Sequence, residues 1–103
     1  MKLTEKQVTE QVIGYLRTRG WYCVRLNSGL VSTPDGRRLR VGKKGLPDWV
    51  VFRAVQYCFL EIKATGKGLR MEQDEWYADA RAKGITATWT DDLENIKASE
   101  YFR

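Results

Sequence analysis

The sequence predicts an α/β fold of the α+β kind, in which a mixed sheet is flanked by helices and the elements follow the order αββββαβα. An apolar stripe at helical spacing opens the chain, and two apolar runs typical of central strands occupy its middle. A helix, a strand and a short helix close it. A chain of 103 residues, 43% of them hydrophobic, has the size and apolar content of one domain, residues 1–103.

The first helix is predicted to begin after Thr4, which forms a capping-box pattern with Gln7, and to end at Gly20. Its apolar residues recur at helical spacing: Val8, Val12, Ile13, Tyr15 and Leu16. This stripe predicts that one face of the helix packs against the sheet.

Residues 21–26 are rich in β-forming side chains and predict the first strand. The turn signal at residues 33–36 predicts a small exposed hairpin. Its first arm, around residues 30–31, is expected to continue the strand 21–26, so the two are counted as one strand. The second arm, around Leu39, is basic and forms the second strand.

Residues 49–53 and 57–63 predict two strands that are apolar at nearly every position, which indicates that both faces of each are covered. A short connection joins them, so they should be antiparallel neighbours. Residues 71–83 predict a helix, residues 85–89 predict a strand, and a short last helix follows.

Three ionisable residues stand at the ends of the two central strands. Asp48 precedes the first strand, while Glu61 and Lys63 lie near the end of the second. Because side chains alternate along a strand, Glu61 and Lys63 point to the same side, and antiparallel pairing brings Asp48 opposite residues 61–63. Two explanations are open: Lys63 pairs with a carboxylate to close the sheet edge, or the carboxylates hold a divalent metal.

A metal site here would use oxygen ligands, since the chain contains no histidine and only two cysteines. Asp48 and Glu61 would bind the ion, and a backbone carbonyl such as that of Ile62 would add a ligand. The ion would polarise a phosphate oxygen and lower the pKa of a bound water, which Lys63 would orient. All three residue types that this chemistry needs are present, while the simple ion pair remains the other explanation.

The order Pro47-Asp48 followed by Glu61-Ile62-Lys63 resembles the pattern of the PD-(D/E)xK nuclease superfamily. Further residues match one branch of that superfamily in order and spacing: Glu10, Asn27, Ser28, Gly29, Gly45 and Gln73. Over nearly its whole length the chain is similar to a stand-alone VRR-NUC domain, the virus-type replication-repair nuclease.

The resemblance implies a restriction-endonuclease-like fold and a metal site built from Asp48, Glu61 and Glu10. It also implies that Lys63 is the catalytic lysine and that Gln73 lies in the active site. Stand-alone members of this branch look like archaeal Holliday junction resolvases, act as homodimers and are often phage-encoded.

Without the resemblance, Glu10 is better explained as a surface residue at the edge of the apolar stripe. Gln73 shares a helix face with Trp76, where it either bonds a strand-end carbonyl or binds a metal-bound water or a substrate phosphate near Lys63. Arg70 stands where the family often has a helix-capping Ser or Thr, and this departure bears on where the helix begins.

The net charge of +5 favours a polyanionic partner. The basic run at residues 37–44 either forms a solvated hairpin or contacts phosphates, and the loop after the second central strand could contact them from the other side. The candidate nucleic-acid-binding residues are Asn27, Ser28, Arg37, Arg38, Arg40, Lys43, Lys44, Lys67 and Arg70.

Together these features predict a DNA endonuclease of replication and repair that depends on Mg²⁺, with Mn²⁺ able to replace it. We expect it to prefer branched or Holliday junction-like DNA and to act as a homodimer, with a helicase or replication protein as a further partner. A non-catalytic DNA-binding module with the same fold and an RNA-directed nuclease are the alternatives. No apolar run approaches the roughly 20 residues of a membrane span, and no signal peptide is visible, so a cytoplasmic protein is expected. The resemblance implies that it is bacterial or phage-encoded.

Overall fold

The structure, a computed structural model, describes residues 1–26, 29–32, 34–41 and 45–103, and for residues 29–31 and 38–41 it describes the backbone alone. The described elements are, in chain order, α1 (Glu5–Thr18), β1 (Tyr22–Arg25), β2 (Gly29–Ser32), β3 (Arg38–Val41), β4 (Trp49–Arg53), β5 (Gln56–Ile62), α2 (Met71–Ala82), β6 (Ala87–Thr90), α3 (Leu93–Ala98) and a final 3₁₀ helix (Glu100–Phe102).

Four of the strands form a mixed sheet in the order β1-β4-β5-β6. The β1-β4 and β4-β5 neighbours are antiparallel, while β5 and β6 are parallel and are joined through α2. The predicted α+β architecture, a mixed sheet with helices, is confirmed at this level.

The first two strands were expected to be one, and this prediction was wrong. β1 pairs with β4, whereas β2 pairs with β3 in a separate two-stranded sheet. The turn around Gly36 gives β2 its own hairpin partner, so its apolar residues do not extend the edge of the main sheet. Five described strands therefore precede α2 instead of four.

Helices α1 and α3 cover one face of the main sheet. The capping box predicted for α1 is present, since the Gln7 N–H donates to Thr4 Oγ1 over 3.2 Å and the Thr4 N–H donates to Gln7 Oε1 over 2.9 Å. The apolar stripe of α1 packs on alternate residues of the central strands, and this core includes Val8, Val12, Ile13, Leu16, Val51, Cys58, Leu60, Ile62 and Ile96.

Helix α2 lies on the opposite face, where Trp76 contacts Phe59 of β5 edge to face, with ring centroids 5.4 Å apart. The Tyr77 hydroxyl donates to the Thr88 carbonyl of β6 and so fixes α2 against the sheet edge. Since Leu60 and Ile62 face the α1 side, alternation places Glu61 on the α2 side.

The β4–β5 hairpin sets the register of the predicted site. Arg53 pairs with Gln56 across a two-residue turn, and Trp49 pairs with Leu60 at the other end. One step further, Asp48 stands opposite Glu61, as the sequence predicted. No helix of the described residues is both long enough and apolar enough to cross a membrane.

Candidate functional site

Asp48 is fixed at the start of β4 by bonds from both neighbouring strands. Its carbonyl accepts the Leu26 N–H from the end of β1 over 2.6 Å. Its own N–H donates to Glu61 Oε1 over 3.0 Å. Pro47, just before it, is fully buried. The backbone is therefore held on both sides while the half-buried Asp48 carboxylate stays available to solvent or ligand.

Glu61 is the centre of the group, with an exposed fraction of only 3%. Its Oε2 accepts a hydrogen bond from Gln73 Nε2 over 3.2 Å and lies 3.6 Å from Lys63 Nζ. Lys63 is itself 9% exposed. The ion pair between Lys63 and a carboxylate, which was one of the two explanations for these charges, is thus present. Asp48 and Gln73, the other predicted catalytic residues, both donate hydrogen bonds to the Glu61 carboxylate of this pair.

The orientation of the Gln73 amide follows from its neighbours. Gln73 Oε1 accepts the Arg70 N–H over 2.8 Å, so the amide NH₂ group is the end that faces Glu61. Gln73 therefore caps the start of α2 and binds the carboxylate at once, instead of bonding a strand-end carbonyl. The helix begins at Met71, as predicted, although Arg70 offers no side-chain cap.

Electrostatics at the site favour a proton on Glu61 or a cation close to it. Burial raises the pKa of Glu61, and the negative charges of Asp48 and Glu5 raise it further. The hydrogen bond from the Asp48 N–H and the charge of Lys63 oppose this rise without cancelling it. Burial, and then the charge of Glu61, likewise raise the pKa of the nearby Tyr77 hydroxyl.

A cleft of about 300 Å³ opens beside Asp48 on the α1 side of the sheet. Its lining consists of Glu5, Lys6, Thr9, Glu10, Arg25, Asp48, Trp49 and Ile62. Glu61 and Lys63 are outside this lining, so Asp48 is the residue shared by the cleft and the buried group. Glu10 is exposed on α1 and lines the same cleft as Asp48 and Ile62.

Glu5 is a cleft residue that the sequence did not reveal. It lines the same wall as Glu10, and its charge acts on Glu61. In the sequence, Glu5 is indistinguishable from an acid placed in the first turn to stabilise the helix dipole. In the described part of the chain, no three His, Cys, Asp or Glu side chains are grouped closely enough to hold a metal ion.

The predicted nucleic-acid-binding residues are only partly described. Asn27, Ser28, Lys43 and Lys44 lie outside the described residues, as do the side chains of Arg38 and Arg40 on β3.

Three further candidates are described, and all are exposed. Arg37 pairs with Asp35 over 3.2 Å, while Lys67 and Arg70 lie in the segment between β5 and α2. This segment is tied to Asp91, whose Oδ2 accepts the Gly66 N–H over 2.9 Å. Their side chains are therefore accessible to a polyanion, but the structure does not bring them into the lining of the cleft at Asp48.

Comparison of the chain with models of protein families, with curated proteins and with solved structures found no match.

The raised pKa of Glu61 predicts a pH-dependent stability. The folded protein binds the proton of the Glu61 carboxyl more tightly than the unfolded chain does. The stability that this proton contributes is therefore complete below about pH 4.5 and is lost as pH rises through the raised pKa. We expect the free energy of unfolding of the wild type to fall over this window relative to that of Glu61→Gln. Each unit of pKa difference is worth about 1.4 kcal/mol.

Urea unfolding followed by tryptophan fluorescence between pH 4 and pH 8 measures this difference. Glu94→Gln is the matched control, because Glu94 is an exposed glutamate paired with Lys97 on α3. If the free energy of unfolding varies with pH in the same way in the wild type and in Glu61→Gln, the pKa of Glu61 is not raised.

Proposed function

We propose that the chain is a divalent-metal-dependent endonuclease that hydrolyses phosphodiester bonds in DNA. The observation that carries the proposal is the meeting of Asp48, Glu61 and Lys63 at the ends of β4 and β5, with Gln73 against the same carboxylate. A buried ion pair is a weak source of stability, since removing both charges from water costs about as much as their attraction returns. Asp48, which bonds to Glu61, connects this pair to the open cleft, and that connection favours a chemical role.

The oxygen donors at the site, carboxylates and a backbone carbonyl, are of the type that a hard divalent cation such as Mg²⁺ or Mn²⁺ prefers, although binding one would have to draw a third carboxylate toward Asp48 and Glu61. Asp48 and Glu61 would hold it, with the Ile62 carbonyl and a glutamate of α1, Glu5 or Glu10, as further ligands. Each Glu61 oxygen has two lone pairs, so the hydrogen bonds described above leave acceptor capacity free. The surplus negative charge that raises the Glu61 pKa is also what a cation would neutralise.

When bound, such an ion polarises the scissile phosphate and lowers the pKa of a water. The chain's own residues supply the remaining parts. Lys63 provides a positive charge in a largely water-excluded position, where it orients the attacking water and offsets charge that develops on the phosphate. Gln73, locked by its bond to the Arg70 N–H, keeps Glu61 in one orientation.

The finer parts of the proposal follow from the resemblance to VRR-NUC domains. These are a restriction-endonuclease-like fold, a homodimer, a preference for branched DNA, a role in replication or repair, and a cytoplasmic location in a bacterial or phage-infected cell. The exposed Lys67 and Arg70 and the basic β3 hairpin arm support a polyanionic substrate.

A cleavage panel tests the proposal. Purified protein is incubated with four-way, flap and linear DNA and with matching RNA, in Mg²⁺, in Mn²⁺ and in EDTA. We expect cleavage of DNA that requires the metal and is fastest on branched substrates. Faster cleavage of RNA would change the substrate class, and binding of DNA without cleavage in either metal would support the non-catalytic module.

Metal binding is expected to depend more on Glu5 than on Glu10, because Glu5 is the α1 glutamate whose charge reaches Glu61. A ligand that binds only the folded state raises Tm, so Mn²⁺ should raise the Tm of the wild type by several degrees. Glu5→Gln should reduce this rise more than Glu10→Gln, which differs from it only in position along the same cleft wall. Equal rises in Tm with Mn²⁺ in the two variants would show that Glu5 and Glu10 contribute equally to metal binding.

A further inference from the structure

The cleft beside Asp48 has a cationic wall that the proposed chemistry does not use. Arg25, at the end of β1, places its guanidinium carbon 5.7 Å from the centroid of the Trp49 indole ring. Trp49 is half-buried and packs against the core, whereas Arg25 is exposed. Arg25 and Trp49 line the same cleft as Asp48, and Lys6 of α1 contributes a second positive charge to that lining.

Arg25 forms no close ion pair with the described acids around it. The cleft also contains Glu5, Glu10 and Asp48, yet among the described residues no ion pair within 4.0 Å involves Arg25. Stacking on an indole ring orients a guanidinium but leaves its N–H donors free for a planar, bidentate partner. A phosphate group is a partner of that shape.

The position of Arg25 relative to Asp48 is fixed by the sheet. Arg25 is the direct cross-strand partner of Trp49, the residue that follows Asp48. The next residue of the same strand end, Leu26, donates its N–H to the Asp48 carbonyl over 2.6 Å. A group bound by Arg25 would therefore lie a short, constant distance along the sheet edge from a group bound at Asp48.

We propose that Arg25, held by Trp49, is a phosphate-binding residue that takes the backbone phosphate next to the one at Asp48. The identity of this phosphate as the neighbour of the scissile one rests on the proposed nuclease function. The phosphate site itself rests on the cleft, the stacked guanidinium and the absence of an ion-pair partner among the described residues. Lys6 supports the same phosphate from α1.

Binding of a short fluorescein-labelled oligonucleotide tests the site without cleavage. Anisotropy titrations are run in EDTA at several salt concentrations for the wild type, Arg25→Gln and Arg19→Gln. Arg19 is the matched control, since its guanidinium also lies over an aromatic ring, 5.5 Å from the Tyr15 centroid, but about 20 Å along α1 from Glu5.

We expect Arg25→Gln to weaken binding about tenfold and to reduce the slope of log K against log salt concentration by about one, the signature of one lost phosphate contact. Arg19→Gln should change neither quantity. Arg25→Lys should restore the slope, because it keeps the charge, but not the full affinity, because it lacks the planar stacked fork. A slope for Arg25→Gln equal to that of the wild type would overturn the phosphate site.

The titrations separate this inference from the proposed function. If the wild type cleaves no nucleic acid but Arg25→Gln lowers the salt slope, the phosphate site stands while the nuclease assignment fails. If the wild type cleaves and Arg25→Gln has the same salt slope as the wild type, the nuclease assignment stands and the phosphate-binding role of Arg25 is rejected. Where cleavage is seen, Arg25→Gln should raise KM more than it lowers kcat, as expected for a residue that binds substrate away from the reacting atoms.

Discussion

Replacing Asp48 by Asn is expected to abolish metal-dependent cleavage, with a loss of three orders of magnitude or more in kcat. Asp48 lines the cleft and donates its backbone N–H to Glu61, so its carboxylate is the oxygen donor best placed to hold a cation against a substrate phosphate. An amide keeps the shape but removes the negative charge. A thousandfold loss corresponds to about 4 kcal/mol of transition-state stabilisation, which is typical of a lost metal or charge interaction.

The same substitution should not harm the fold. Residue 48 keeps its N–H bond to Glu61 and its carbonyl bond from Leu26, because both belong to the backbone. Removing the Asp48 charge also removes a repulsion that raises the pKa of Glu61, so the Tm should stay the same or rise. Loss of activity together with a lower Tm would indicate that Asp48 is a structural residue.

Asp79→Asn provides the matched control for both measurements. Asp79 is a partly exposed carboxylate on α2 that pairs with Lys83 over 2.9 Å, a surface pair worth less than about 1 kcal/mol. This variant loses one negative charge without touching the cleft, and its cleavage rate should equal that of the wild type. Metal-dependent cleavage that persists at the wild-type rate in Asp48→Asn would contradict the assignment of the site.

The convergence of Asp48 and Glu61 could be predicted because it depends on local rules. A short connection between two apolar runs leaves one antiparallel pairing, and the period of two along a strand then decides which side chains share a face. The observed pairing of Trp49 with Leu60 is the consequence of those rules. The start of α2 at Met71 was also predictable, although Gln73 caps it from within the helix in place of a side chain at Arg70.

Other features depend on how distant elements meet, and the sequence did not reveal them. Whether β2 extends β1 or leaves the sheet is decided by competition between partners far apart in the chain. Glu5 and Arg25 look like ordinary surface charges until α1 and β1 are placed on either side of one cleft. For residues such as these, charge and spacing in the sequence give no sign of a shared site.

Gly45→Ala is expected to lower the free energy of unfolding by about 2–5 kcal/mol, from positive-φ strain and overpacking together. Gly45 has a φ of +86°, and a Cβ added there would stand 2.3 Å from the Glu72 carbonyl oxygen and 2.8 Å from its carbon. Those atoms belong to the first turn of α2, so a rotamer change cannot relieve the collision. Equilibrium urea unfolding at low temperature measures the effect, including in a variant that is only marginally folded.

Two other glycines separate the contributions. Gly36 has nearly the same φ, +87°, but no atom of the described residues lies within 4 Å of its added Cβ, so Gly36→Ala measures backbone strain. Gly14 lies within α1 with open space around it, and Gly14→Ala should stabilise the protein by up to about 1 kcal/mol. The excess cost of Gly45→Ala over Gly36→Ala then reports the contact between the Gly45 loop and α2.

This contact connects the two sides of the candidate site. Gly45 lies three residues before Asp48 in the chain, and Gln73 follows Glu72 in α2, so a shift at Gly45 moves both residues that bond to Glu61. We therefore expect folded Gly45→Ala to lose cleavage activity beyond its loss of stability, whereas Gly36→Ala should keep the wild-type rate. The contrary result would be that Gly45→Ala lowers the free energy of unfolding no more than Gly36→Ala does and cleaves at the wild-type rate. The loop could then move without α2, and the close approach at Gly45 would not be what keeps Asp48 and Gln73 bonded to Glu61.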